Sequence, residues 1–158
     1  IRVIMRILFN HHISGAADVI DLMRRAQPGL FVIATHERDD TPIRLVADRF
    51  LAEPLDTRRM TPDAYADWLL GIALSEKAEL VIPYRRRDEL APFRGHFADC
   101  GIRLLTASDK ETMRLLEEKP KLLDRMAEAG VQITPFRLFR GLADYEQRKR
   151  CPDHTLAA

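Results

Sequence analysis

The chain has 158 residues, 46% of them hydrophobic, with a formal net charge of +1 and two cysteines. That length suits one domain, or one domain and part of another, and the apolar fraction is enough for a core. Near-neutral charge gives no global pull toward nucleic acid or an anionic membrane, and no apolar run approaches the ~18 residues of a membrane span. Cys100 and Cys151 have neither metal-ligand spacing nor the density of a disulfide scaffold, which favours a reduced, cytoplasmic setting. The chain opens at Ile1, and Met5 would make a natural start, so residues 1–4 read as an extension or a start-site artefact.

Residues 3–9 are dense in branched and apolar side chains without strict alternation, as in a strand covered on both faces. Residues 10–15, NHHISG, form the turn after it, with Ser14 or Gly15 as the expected helix cap. Residues 16–26 then read as a helix, with Ala16, Val19, Ile20, Leu22 and Met23 facing inward. Pro28-Gly29 breaks the chain, and residues 30–35, LFVIAT, make a second buried strand. A polar loop over 36–42, a short helix over 44–48 and a short strand over 49–53 follow. Thr61 caps the next helix and Pro62 sits in its first turn. That helix runs over 64–77 and turns Tyr65, Trp68, Leu69, Ile72 and Ala73 to the core. Residues 80–83 form a fourth strand, 88–99 a helix that tolerates Pro92 only near its start, and 102–106 a fifth strand after Gly101. Cys100 reads as a small, semi-buried filler at the helix end.

Strands alternating with helices at this spacing predict an α/β fold with a doubly wound, Rossmann-like parallel sheet of about five strands over residues 1–106. Residues 107–158 form a second part. There two short helices meet at Lys119-Pro120. Leu122, Leu123, Met126 and Ala127 give the second an apolar face, and Gly130 closes it. A short strand is expected from Val131, and 137–139 reads as extended.

In open α/β sheets, ligands bind outside the carboxyl ends of the strands. Asn10, His11 and His12 follow the first strand, and Arg85, Arg86 and Arg87 follow the fourth. Three guanidiniums at a strand end can hold a small carboxylate or phosphate in bidentate fashion, or pair with Asp88 and Glu89 beside them. The adjacent histidines lack the spacing of a metal site. Neither G-x-G-x-x-G nor G-x-x-x-x-G-K-[ST] occurs, which disfavours a conventional dinucleotide or P-loop reading. No residue reads as catalytic.

The junction from Ser108 to Phe136 resembles that of ATP-grasp ligases. There an acidic residue and a Lys or Arg open the second helix, which runs into A-G-(I/V)-x-x-P. This chain has Glu118-Lys119, then Ala129-Gly130-Val131, and Pro135 one residue later than that spacing. The resemblance implies that residues 1–106 are a pre-ATP-grasp domain, that 107–158 are hinge helices and the start of an ATP-grasp domain, and that Lys119 reaches the nucleotide phosphates. Residues 141–147 resemble the family's short helix beyond the junction.

The family uses ATP and magnesium to make an acylphosphate from a carboxylate, which an amine or other nucleophile then attacks. The strand lysine, glycine-rich loop and magnesium ligands of that site lie beyond the matched segment. The chain is therefore expected not to bind ATP or magnesium tightly, or to ligate, by itself. The expected partners are the ATP-grasp domain, or a second copy through the hinge helices, and a small anion. A stand-alone Rossmann-like module binding a small anion or a partner protein is the alternative. An unrelated flavodoxin-like or Rossmann-like enzyme, with its own site at the switch point, is a third reading.

Overall fold

A computed structural model describes residues 5–11, 15–106, 109–134, 139 and 141–150. Five parallel strands form one sheet in the order β3-β2-β1-β4-β5. They are β1 (Arg6–Asn10), β2 (Phe31–His36), β3 (Arg49–Ala52), β4 (Leu80–Pro83) and β5 (Arg103–Leu104). Leu8 at the centre pairs with Ile33 on one side and Val81 on the other. The doubly wound parallel sheet read from the sequence is therefore the fold observed.

Successive side chains on a strand point to opposite faces, and this divides the core in two. Leu8, Ile33 and Val81 pack with Tyr65, Leu69, Ala73, Leu90 and Phe97 on one face. Ile7, Phe9, Val32 and Ala34 pack with Ala16, Ile20 and Ile43 on the other. The first face is covered by α3 (Pro62–Ser75), α4 (Arg87–Leu90) and α5 (Arg94–Asp99), the second by α1 (Ala16–Ala26) and α2 (Ile43–Val46). The β1→β2 and β3→β4 connections run in opposite directions across the sheet, so crossovers of one hand put α1 and α3 on opposite faces.

Local chemistry accounts for the boundaries. Thr61 Oγ1 accepts a hydrogen bond from Ala64 N at 3.3 Å, and Pro62 lies in the first turn of α3. Gly15 opens α1 in the left-handed region, at φ 91°, without a side-chain cap. The Ser14 alternative lies outside the described residues. Within α1, Leu22 is 63% exposed, contrary to expectation. At about 100° per residue it falls on the side of the helix away from Ile20 and Ala16.

The helix expected over 88–99 is broken. A 3₁₀ turn at Ala91–Phe93 separates α4 from α5, because Pro92 cannot donate to an α-helical ladder. A 3₁₀ segment at Leu55–Arg59 has no counterpart in the sequence reading, and its Thr57 Oγ1 donates to Pro54 O at 2.7 Å. Cys100 is exposed, not semi-buried; it sits on the C-cap of α5, just before Gly101 turns the chain at φ 75°.

The chain divides into two compact units, 1–114 and 115–158, so the division falls within α6 (Lys110–Glu117), eight residues beyond the boundary drawn at 106. Met113 is buried in the first unit. In the second, α7 (Lys119–Glu128) carries Pro120 in its first turn and ends before Gly130 at φ 76°. No α7 residue is fully buried. Residues 131–134 form no strand, and most of the expected extended piece at 137–139 lies outside the described residues. The segment read as the family's later helix is α8 (Leu142–Arg150).

Leu69 is fully buried, so Leu69→Ala is expected to cost about 2–5 kcal/mol in urea unfolding. Leu22→Ala should stay within about 0.5 kcal/mol.

Candidate functional site

The strand order reverses between β1 and β4, which makes the crevice at their carboxyl ends the switch point of the sheet. Three strands deliver polar groups there. The ladder continues one residue past each strand: His11 N donates to Thr35 O, Glu53 N to His36 O and Tyr84 N to Asn10 O, each at 2.9 Å. These bonds fix the backbone from which His11, Glu53 and the arginines project. His11 and Arg86 both adopt positive φ, 59° and 54°, a conformation uncommon for residues with a Cβ and concentrated at functional turns.

Glu53 is the centre of the cluster. Its side chain is completely buried, and its two oxygens meet polar or charged groups of four residues. Tyr65 OH donates to Oε1 at 3.0 Å, Asn10 Nδ2 lies 3.2 Å from the same oxygen, and Arg85 Nη1 donates to Oε2 at 2.9 Å. His11 Nε2 donates to Oε2 in a short contact. Because that nitrogen donates to the carboxylate, its 3.2 Å approach to Arg85 Nη1 is a contact between two donors.

Burial pushes the Glu53 carboxyl up, but His11, Tyr65 and Arg85 more than offset this and hold it below the usual glutamate value. Burial, followed by the charge of Glu53, pushes the Tyr65 hydroxyl well above the usual tyrosine value. Around this centre, Arg58 grips Glu37 through Nε at 2.6 Å and through Nη2, and so holds the Glu37 carboxyl below its usual value. Glu37 also lies 3.4 Å from Arg85 Nη1.

The residues singled out by sequence take separate places. Asn10 is fully buried and serves the network, with Nδ2 also 3.1 Å from Thr35 Oγ1 and 3.0 Å from Tyr65 OH. His11 stands at the cluster's edge, its ring 4.4 Å from that of His36. His12 lies outside the described residues. The three arginines are not brought together. Arg85 makes all its contacts through Nη1, and among the described residues Nε and Nη2 bond nothing.

Arg86 turns inward. It pairs with Glu89, donates to Met60 O at 3.0 Å and Thr57 O at 3.3 Å, and lies 4.5 Å over the Tyr65 ring. Arg87 lies 5.1 Å from the Tyr84 ring centre. Lys119 is exposed at the opening of α7 in the second unit. Glu53, Glu37 and the Tyr65 hydroxyl were missed by sequence reasoning. An acidic residue at the carboxyl end of a parallel strand was the available signal for Glu53. Tyr65, placed in the core by its spacing, carries its ring there and its hydroxyl into the network.

Beside the cluster, on the α1 face, is a cavity of about 550 Å³ that His11 also lines. Among the described residues no group of three or more His, Cys, Asp or Glu side chains could hold a metal ion, and no helix is long and apolar enough to cross a membrane.

No protein-family model matches the chain, and no curated protein matches it in sequence. Solved structures do share its fold. The biotin carboxylase subunit of pyruvate carboxylase matches with a TM-score of 0.52 and 18% identity, over 94% of this chain and 33% of its own length. N5-carboxyaminoimidazole synthetase from Staphylococcus aureus, complexed with ADP, matches with 0.54 and 13%, over 94% and 36%. The biotin carboxylase domain of a single-chain bacterial carboxylase matches with 0.52 and 22%, over 92% and 34%. The chain has the fold of about a third of each of these larger proteins. The resemblance drawn from the sequence is met at the level of fold.

Glu53 has a lowered folded value, so its contribution to stability is complete above the ordinary glutamate range. It is lost as pH falls through that range toward the depressed value. Melting temperature should therefore drop on acidification from pH 7 to pH 3. In Glu53→Gln the drop should be shallower, leaving the part contributed by Glu37 and Asp40, whose carboxyls are also lowered.

Proposed function

We propose that this chain is the N-terminal wall and hinge of an ATP-grasp carboxylate–amine ligase, with its phosphoryl-handling core in another part of the enzyme. The observation that carries the reading is the five-stranded fold shared, over 92–94% of the chain, with about a third of carboxylases and of an ADP-bound synthetase. The junction supports it: Lys119 opens α7 in an exposed position, from which a long cationic side chain can reach a phosphate.

In this reading the switch-point cluster faces the substrate. Arg85 offers its Nε–Nη2 edge, the geometry for bidentate contact with a small carboxylate or phosphate, and Glu53 holds Arg85 and His11 in place. Arg86 braces the wall, and ATP and magnesium belong to the core domain. Leu122, Leu123 and Met126 of α7 are only half-buried, which supports a covering partner, the core domain of the same enzyme. The setting is cytoplasmic, in keeping with the sparse cysteines.

Calorimetric titration of magnesium–ATP into the 158-residue chain should show no tight binding. Stoichiometric tight binding would overturn the division of labour. Acetate or inorganic phosphate should bind weakly, and Arg85→Ala should weaken that binding roughly tenfold, about 1.4 kcal/mol.

A further inference from the structure

The cavity beside the cluster has a structural cause. The β1→β2 crossover carries α1 over one half of its face, and the helices connecting β3, β4 and β5 lie on the opposite face. The β4–β5 half of the α1 face thus has no crossover helix of its own. The hollow left there measures about 550 Å³, within the ~300–1,000 Å³ usual for small-molecule sites. Its walls are apolar: Phe9 and Ile82 from the strands, Val19 and Met23 from α1, Leu105 after β5 and Met113 from α6.

Its polar lining includes His11, the residue it shares with the ionic cluster, and Arg87 beside Tyr84. Arg85 is not among the described lining residues, but its Nη1 lies 3.2 Å from His11 Nε2, and its Nε and Nη2 bond nothing among the described residues.

We propose that this cavity takes the apolar body of a small monocarboxylic acid, aryl or branched alkyl, whose head group rests at His11 beside Arg85 and Arg87. The inference rests on the reading of the His11–Arg85 end as an anion site, and adds what the rest of the ligand must be. Apolar walls of this extent favour a ligand that fills them over a bare anion, because the gain scales with apolar area removed from water.

The charge balance favours one negative charge over two. Arg85 and Arg58 are matched by Glu53 and Glu37, and both carboxylates lie within 3.4 Å of Arg85 Nη1. A dianionic phosphate would bring a second charge against these two carboxylates, with Arg87 the one further arginine among the described cavity-lining residues. A planar carboxylate needs only the one open guanidinium edge.

The test compares phenylacetate, acetate, 2-phenylethanol and inorganic phosphate on the full chain, by protein-observed NMR titration. Phenylacetate should bind at least tenfold more tightly than acetate, which lacks the body, than 2-phenylethanol, which lacks the charge, and than phosphate. Val19→Trp narrows the cavity from a residue 37% exposed, and Leu105→Asp alters another wall from a residue 57% exposed, so neither disturbs the deep core. Each should bring phenylacetate down to the affinity of acetate and leave acetate unchanged.

Equal binding of phenylacetate and acetate, tighter binding of phosphate or 2-phenylethanol, or indifference of phenylacetate to both variants would overturn the inference. If acetate or phosphate binds and Arg85→Ala abolishes it without any preference for phenylacetate, this inference falls and the anion site stands. If none of the three anions binds, both fall.

Discussion

A carboxylate without contact with water organises the carboxyl end of this sheet. Burying an ionised glutamate costs several kcal/mol unless its oxygens are satisfied. Glu53 meets that requirement by drawing Asn10 and His11 from the end of β1, Tyr65 from α3 and Arg85 from the loop after β4. Each of these groups is therefore fixed by the same charge. Removing any one leaves the others bonded to a partly unsatisfied anion, which ties the placement of the two outermost groups, His11 and Arg85, to the integrity of the interior.

The arginines show how one short run of sequence can serve three purposes. Arg85 completes the carboxylate's shell and keeps one edge open. Arg86, turned back by its positive φ, stacks on Tyr65 and donates to two carbonyls around the 3₁₀ segment at Leu55–Arg59, joining the β3–α3 and β4–α4 connections. That combination of planar stacking and forked donation is not available to lysine. Arg87 lies over Tyr84 at the cavity. A charge run in sequence thus becomes a contact, a brace and a lining group.

Strands and helices were legible because their signals are local. The apolar runs of β1 and β2, Thr61-Pro62 before α3 and Gly130 after α7 each carry their own cause. The cluster was half legible. A ligand rule for parallel sheets pointed to the residues after β1 and β4, which are near in space, but nothing near Glu53 or Tyr65 in sequence states that they meet 12 positions apart across the sheet edge. The miss at Val131 has a related origin. A strand exists through its neighbour, and the β-branched residues there do not supply one. Leu22 was misplaced because a five-residue inward face was read too widely around α1.

The sheet is bounded by short edges. β5 contributes two residues and β3 four, beginning with Arg49, whose guanidinium is tied to Glu76 at 2.9 Å. Long, flat edge strands recruit other chains by backbone pairing, while brief and charged ones offer too few consecutive amides to hold an incoming segment. Lateral growth of this sheet into a fibre or a continuous intermolecular ladder is accordingly disfavoured.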